Sequence, residues 1–147
     1  GRVSVEKNIE AFLHLDMPGT KLVVGGGPQL DQLKQKYPDV VFTGPKFGED
    51  LAAHYTSGDI FVFPSLTDTF GLVMLEAMAS GLPVAAFPVT GPLDVLEGTD
   101  GAFMDEDLSK AVDKALRATS KKARKHAEKF SWEACTDQFL ANLVHAR

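Results

Sequence analysis

Two short segments, "DIFVF" (59–63) and "PVAAFP" (83–88), are apolar at almost every position rather than at every second one. A strand with one wet face alternates; a strand that is apolar throughout must be covered on both faces. Helices are therefore required above and below a sheet, and the intervening sequence supplies them. Apolar periodicity predicts a helix over "VEKNIEAFLHL" (5–15), with Val5, Ile9, Phe12 and Leu13 on one face. Further helices are predicted over 28–37, 48–57, the stretch after "DTFG" (68–71), 91–97, 105–118, 120–129 and 132–145. Strands are predicted at "KLVVG" (21–25), "VVFTG" (40–44), 59–65, 83–88 and "GAFM" (101–104). Asp105 and Ser131 stand where N-caps of the helices after them belong. Strand–helix alternation of this kind predicts an α/β fold with a parallel sheet and right-handed crossovers.

With 147 residues the chain fits one domain with a sizeable core. It opens on "GRVSVEK", a strand-to-helix turn with no strand ahead of it, so the pattern predicts a piece of a longer protein whose first strand is missing. Fifteen Lys and Arg stand against 20 Asp and Glu, a net charge of −5 that argues against a nucleic-acid surface. The single Cys135 cannot form an internal disulfide and suits a reducing compartment. Apolar runs such as "IFVF" and "LVML" are far too short to span a bilayer. His14, His54, His126 and His145 lack metal-ligand spacing.

Ligands of open α/β sheets bind beyond the carboxyl ends of the strands, where helix N-termini offer free N–H groups. Four segments are expected on that edge: "GR" (1–2), "GGGP" (25–28), "PSLTDTFG" (64–71) and "PVTGP" (88–92). Arg2 and Lys7 frame the first helix start, where cations oppose the helix dipole unless an anion joins them. They are either solvated side chains or a grip on a diphosphate. In "GGGP", Gly25 and Gly27 form a G-x-G, but Leu30 occupies the place of the last glycine of a dinucleotide fingerprint. Gly27 therefore marks a tight turn, beside a ligand or merely between strand and helix. Asp68 is either the N-cap of the next helix or a ligand carboxylate. Glu76 sits among Leu72, Val73, Met74, Leu75, Ala77 and Met78, where an unpaired carboxylate costs several kcal/mol by order of magnitude. It requires an internal salt bridge or a ligand's hydroxyls.

The stretch "PSLTDTFGLVMLEAMASGLPVAAFPVTGP" resembles the donor-binding segment of GT-B glycosyltransferases of family 4, in which an acidic residue, seven others and a glutamate surround "FG". "GRVSVEKN" and "GGGP" resemble the same family's G-R-…-E-K segment and glycine-rich turn, in the same order along the chain. Glycolipid and mannosyl transferases of bacteria are the members it resembles most. The resemblance implies a Rossmann-like parallel sheet with helices on both faces, the C-terminal half of a GT-B enzyme. Arg2 and Lys7 would contact the donor diphosphate, and Glu76 would accept hydrogen bonds from the donor ribose. Asp68, one methylene shorter than the family's glutamate, would face the transferred sugar. Phe70, Gly71 and Leu72 would bring backbone N–H groups to sugar and phosphate, with a weaker role for Thr90 and Gly91.

On this reading residues 1–147 form the donor domain of a retaining, metal-independent hexosyltransferase. Its catalytic residues would be Asp68, Arg2 and Lys7. Its donor would be a UDP- or GDP-sugar, with no cofactor. The acceptor, a lipid or glycan, would bind an N-terminal domain absent here, and the isolated domain would be inactive. A cytoplasmic enzyme is expected, with "KKARKHAEK" (121–129) available for peripheral contact with the inner membrane face. The alternatives are a non-catalytic sugar-nucleotide module and an epimerase of the same architecture.

Overall fold

The computed structural model describes residues 1–143. After a 3₁₀ turn at Val5–Lys7 the chain forms α1 (Ile9–Leu13), β1 (Leu22–Val24), α2 (Leu30–Lys36), β2 (Val41–Gly44) and α3 (Gly48–Thr56). Then follow β3 (Phe61–Phe63), α4 (Leu72–Ala79), β4 (Val84–Ala86), α5 (Thr90–Leu96), β5 (Ala102–Met104), α6 (Leu108–Ala115), α7 (Ser120–Ala127), a second 3₁₀ turn (Glu128–Phe130) and α8 (Trp132–Ala141). Among the described residues no helix is long and apolar enough to cross a membrane.

All strand pairs are parallel. In the larger sheet, ordered β3-β4-β5, Phe61 pairs with Val84 and Val84 with Ala102. All three residues of β4 are buried, and they divide between two cores. Val84 and Ala86 pack with Phe63, Met74, Met78, Val95, Leu96 and Ala123, beneath α4, α5 and α7. Ala85 points the other way, into a cluster with Ala111, Val112 and Ala115 of α6. This is the covering on both faces that the unbroken apolar strands require. The smaller sheet pairs β1 with β2 and shares a core of Val3, Leu13, Val23 and Leu33 with α1 and α2.

The strands form two sheets, and the opening turn lies between them. Arg2 makes a parallel bridge to Gly26, and the Val3 N–H donates to the Gly26 carbonyl at 3.0 Å. On the other side, Asn8 Nδ2 donates to the Pro64 carbonyl at 3.0 Å, just beyond β3.

The helix read over residues 5–15 is divided at Asn8, which stands at φ 50°, ψ 38°. Asparagine tolerates this left-handed conformation better than most residues with a side chain. The break turns Val5 out of the expected apolar face, leaving it 75% exposed. Helix α6 begins later than its periodicity suggests. Asp107, not Asp105, is its N-cap and accepts from the Ser109 N–H at 3.1 Å. Asp105 instead accepts from the Asp107 N–H, holding the approach to the cap. Ser131 caps α8 as expected, accepting from the Ala134 N–H. The far end of that predicted helix, with His145, lies outside the described residues.

Met78 is fully buried in the core that joins α4 to β4. Met78→Ala is expected to lower unfolding free energy by about 2–5 kcal/mol through lost burial and a residual cavity. Urea denaturation should show a lower midpoint with an unchanged slope.

Candidate functional site

The carboxyl edge of the sheets is organised around an ion pair 61 residues apart in sequence. Lys7 Nζ lies 2.6 Å from Asp68 Oδ1, with the two side chains 31% and 18% exposed. Local structure explains why they meet. The left-handed Asn8 ends the first 3₁₀ turn and ties it to Pro64. Ser65, buried, and Thr67 both direct their hydroxyls to the Glu6 carbonyl at 3.4 Å. The loop from β3 to α4 is thereby seated on the turn that carries Lys7.

From below, the start of α5 supports the same loop. A Cβ on Gly91 would stand 2.5 Å from the Asp68 carbonyl oxygen, so only glycine permits this approach. Gly27 has a comparable role. A Cβ there would come within 2.3 Å of the Val3 carbonyl oxygen, so its smallness admits the opening turn. Gly71, at φ 81°, occupies the N-cap position of α4. Asp68 is therefore not the cap of that helix; its carboxylate faces Lys7 instead.

Burial pushes the Asp68 carboxyl upward, but the hydrogen bond and charge of Lys7, with the nearby Ser65 hydroxyl, outweigh it and hold the group below the ordinary carboxylate range. Asp68 is thus ionised at neutral pH. Its second oxygen, Oδ2, is buried and has no hydrogen-bond partner. A buried carboxylate oxygen without a donor is costly, and a ligand hydroxyl is the kind of group that would satisfy it.

Glu76 differs from its sequence reading. It is exposed rather than enclosed, because α4 buries Met74, Ala77 and Met78 on one side while Leu72, one turn before Glu76, stays 61% exposed. Nor is it held by a salt bridge: among the described residues no cation lies within 4.0 Å of it in an ion pair. Its carboxylate accepts one hydrogen bond, from the Tyr55 hydroxyl to Oε2 at 3.0 Å.

Arg2 is exposed at the same edge and belongs to no ion pair among the described residues. Phe70, 42% exposed, and Leu72 flank the start of α4, whose first N–H groups have no partner within the helix. Thr90 is exposed at the start of α5. Two cations, a helix N-terminus and two carboxylates with free acceptor capacity suit a ligand that carries both phosphate and hydroxyl groups. No cluster of three His, Cys, Asp or Glu able to hold a metal occurs among the described residues. Asn8, Ser65 and Tyr55, which hold the site residues in place, were not singled out from the sequence. The left-handed tolerance of asparagine was the one local signal available for them.

Parallel strands covered by helices on both faces are the architecture this chain shares with GT-B glycosyltransferases. The fold matches that of HepE from Anabaena, solved with UDP, with a TM-score of 0.76 at 21% identity over 97% of this chain and 47% of that one. The family described as Glycosyl transferases group 1 matches residues 4–121, and the chain belongs to that family. It is 36% identical to a sulfoquinovosyl transferase of Arabidopsis thaliana, over 92% of this chain and 30% of the relative. It is 38% identical to a GDP-mannose-dependent alpha-mannosyltransferase of Corynebacterium glutamicum, over 71% of this chain and 26% of the relative. The chain thus spans under a third of the length of these two curated relatives.

Lys7→Met would leave the Asp68 carboxylate without its cation and should cost about 1–3 kcal/mol of stability at neutral pH. Because the folded pKa of Asp68 is lowered, the pair's contribution is complete above the unfolded value of about 3.9. It is lost as pH falls through the lower folded value. Denaturant curves of both proteins should therefore differ at pH 7 and converge as the solution is acidified below the ordinary carboxylate range.

Proposed function

We propose that this domain holds the nucleotide-sugar donor of a hexosyltransferase. The carrying observation is the buried, unpartnered Oδ2 of Asp68 beside Lys7, an acceptor awaiting a donor at the sheet edge where ligands bind. In this reading Asp68 accepts from a hydroxyl of the transferred sugar. Lys7 and Arg2 face the diphosphate, Arg2 with a bidentate fork and Lys7 with a point charge. Glu76, exposed and free of any ion pair among the described residues, accepts from the ribose hydroxyls. Backbone N–H groups of Phe70, Gly71 and Leu72 complete the phosphate cradle at the start of α4, while Gly27 acts by letting the opening turn approach.

Cleavage of the sugar–phosphate bond places growing negative charge on the departing diphosphate. Preformed cations and helix-end N–H groups stabilise that charge without reorganising during the reaction. The proposed reaction moves a hexose from a UDP- or GDP-sugar to an acceptor hydroxyl with retention at the anomeric carbon, and without a metal. The acceptor, a lipid or a glycan, would be held by an N-terminal domain, so residues 1–147 alone would bind donor but not turn it over. Names of the relatives support this donor range, one being GDP-mannose-dependent and HepE having been solved with UDP. We place the enzyme in the cytoplasm, with the exposed Lys121 and Lys125 of α7 available to anionic lipid at the inner membrane face.

Calorimetry of the 147-residue chain with UDP and with GDP, in EDTA, tests the reading. One of the two should bind, and Glu76→Gln should weaken it by roughly 1–3 kcal/mol without a matching loss of melting temperature. Binding that requires Mg²⁺ or Mn²⁺ would contradict the metal-independent site. The same preparation, incubated with UDP- and GDP-sugars and lipid or glycan acceptors, should show no multiple turnover, because near-attack geometry needs both substrates fixed.

A further inference from the structure

The Glu76 carboxylate poses a physical problem that the donor reading leaves open. It stands on an exposed helix face, with several rotatable bonds and no ion pair among the described residues to fix it. A carboxylate that must meet two adjacent hydroxyls gains most when its orientation is set before the ligand arrives. Tyr55, on α3, is the group that can set it. Its hydroxyl donates to Glu76 Oε2 at 3.0 Å across 21 residues of sequence. The ring is itself held by packing: half-buried, it lies on Phe61 of β3 at 5.9 Å between centroids and against the main core. Phe61 in turn leans on Phe63, 6.5 Å away.

The chemistry of the donor matters as much as its position. A phenol offers one hydrogen, so it occupies one lone pair of Oε2 and leaves Oε1 entirely free. A lysine or arginine in its place would cancel the carboxylate's charge and compete for the ligand; a neutral donor orients without neutralising. Burial first, and then the Glu76 charge and hydrogen bond, raise the Tyr55 hydroxyl above the ordinary tyrosine range, so it remains a donor at any physiological pH.

The geometry points to Tyr55 as the residue that positions Glu76 for a ribose diol, and so sets the domain's preference for ribonucleotides over deoxyribonucleotides. The inference rests on the proposed donor function. Tyr55 touches no ligand in this scheme; it acts through Glu76.

The experiment compares binding of UDP and dUDP, or GDP and dGDP, to the wild-type chain and to Tyr55→Phe, which keeps the ring packing. Wild type should favour the ribonucleotide by roughly tenfold or more, the range of a hydrogen bond to a charged group. Tyr55→Phe should lose several-fold in ribonucleotide affinity and leave the deoxyribonucleotide within about twofold, so the preference collapses. A purely structural tyrosine weakens both ligands alike or lowers the melting temperature with the preference intact, and either result overturns the inference. A ligand-free measurement stands beside it. The ultraviolet titration assigned to Tyr55 by difference from Tyr55→Phe should move down in Glu76→Gln; an unmoved phenol shows the two groups are uncoupled and also overturns it. If neither ribonucleotide binds wild type, the donor reading fails and this inference with it. If wild type prefers the ribonucleotide and Tyr55→Phe keeps that preference, only the role of Tyr55 is lost.

Discussion

Contact between Lys7 and Asp68 is the constraint on which the arrangement of this edge depends. One partner comes from the opening turn, which is hydrogen-bonded to the smaller sheet; the other comes from the loop that leaves the larger sheet. Asn8 on Pro64 and the two hydroxyls on the Glu6 carbonyl reinforce the same junction. Leu15 and Met17, between α1 and β1, add apolar packing against the larger sheet, while at this edge the two sheets are tied by an ion pair and hydrogen bonds where the candidate ligand groups converge. Such contacts are directional, which is what a site needs and an apolar core does not supply.

Closeness of backbone is the second requirement. The opening turn reaches β1 only because Gly25 and Gly27 lack side chains, and α5 reaches the Asp68 loop only because Gly91 does. Each approach places a carbonyl where a methyl group would otherwise stand. These glycines act by admitting neighbouring backbone, whatever else they touch. The same applies to Gly101, where a Cβ would meet the α7 backbone beside Ala123 at about 2.5 Å, letting that helix lie close over the sheet.

Much of the fold was legible because burial on both faces leaves an unmistakable pattern. The segments 59–63 and 83–88 could be nothing but covered strands, and their partners and helices follow in chain order. The failures share a cause. Periodicity puts Val5 on an apolar face because it cannot register a single left-handed residue, and Asn8 rotates everything before it. Asp105 precedes the helical pattern and so reads as a cap, but the aspartate two residues on is the one that accepts from the Ser109 N–H. Glu76 reads as enclosed because its neighbours in sequence are apolar, yet Leu72 beside it on the helix surface is itself exposed.

The sequence by itself determined the class of structure and the chemical types at the site. Strand and helix periods are local properties, and the order of "GR", "GGGP", "PSLTDTFG" and "PVTGP" carries cations, glycines and carboxylates to one edge of any parallel sheet that forms. Tertiary structure alone decided the pairings. That Asp68 meets Lys7 and keeps one oxygen unsatisfied, and that Glu76 meets a phenol rather than a cation, depends on contacts across 61 and 21 residues. Such contacts follow from how two sheets and their helices pack in three dimensions. No spacing along the chain encodes which side chain a carboxylate will face once the backbone has closed around it.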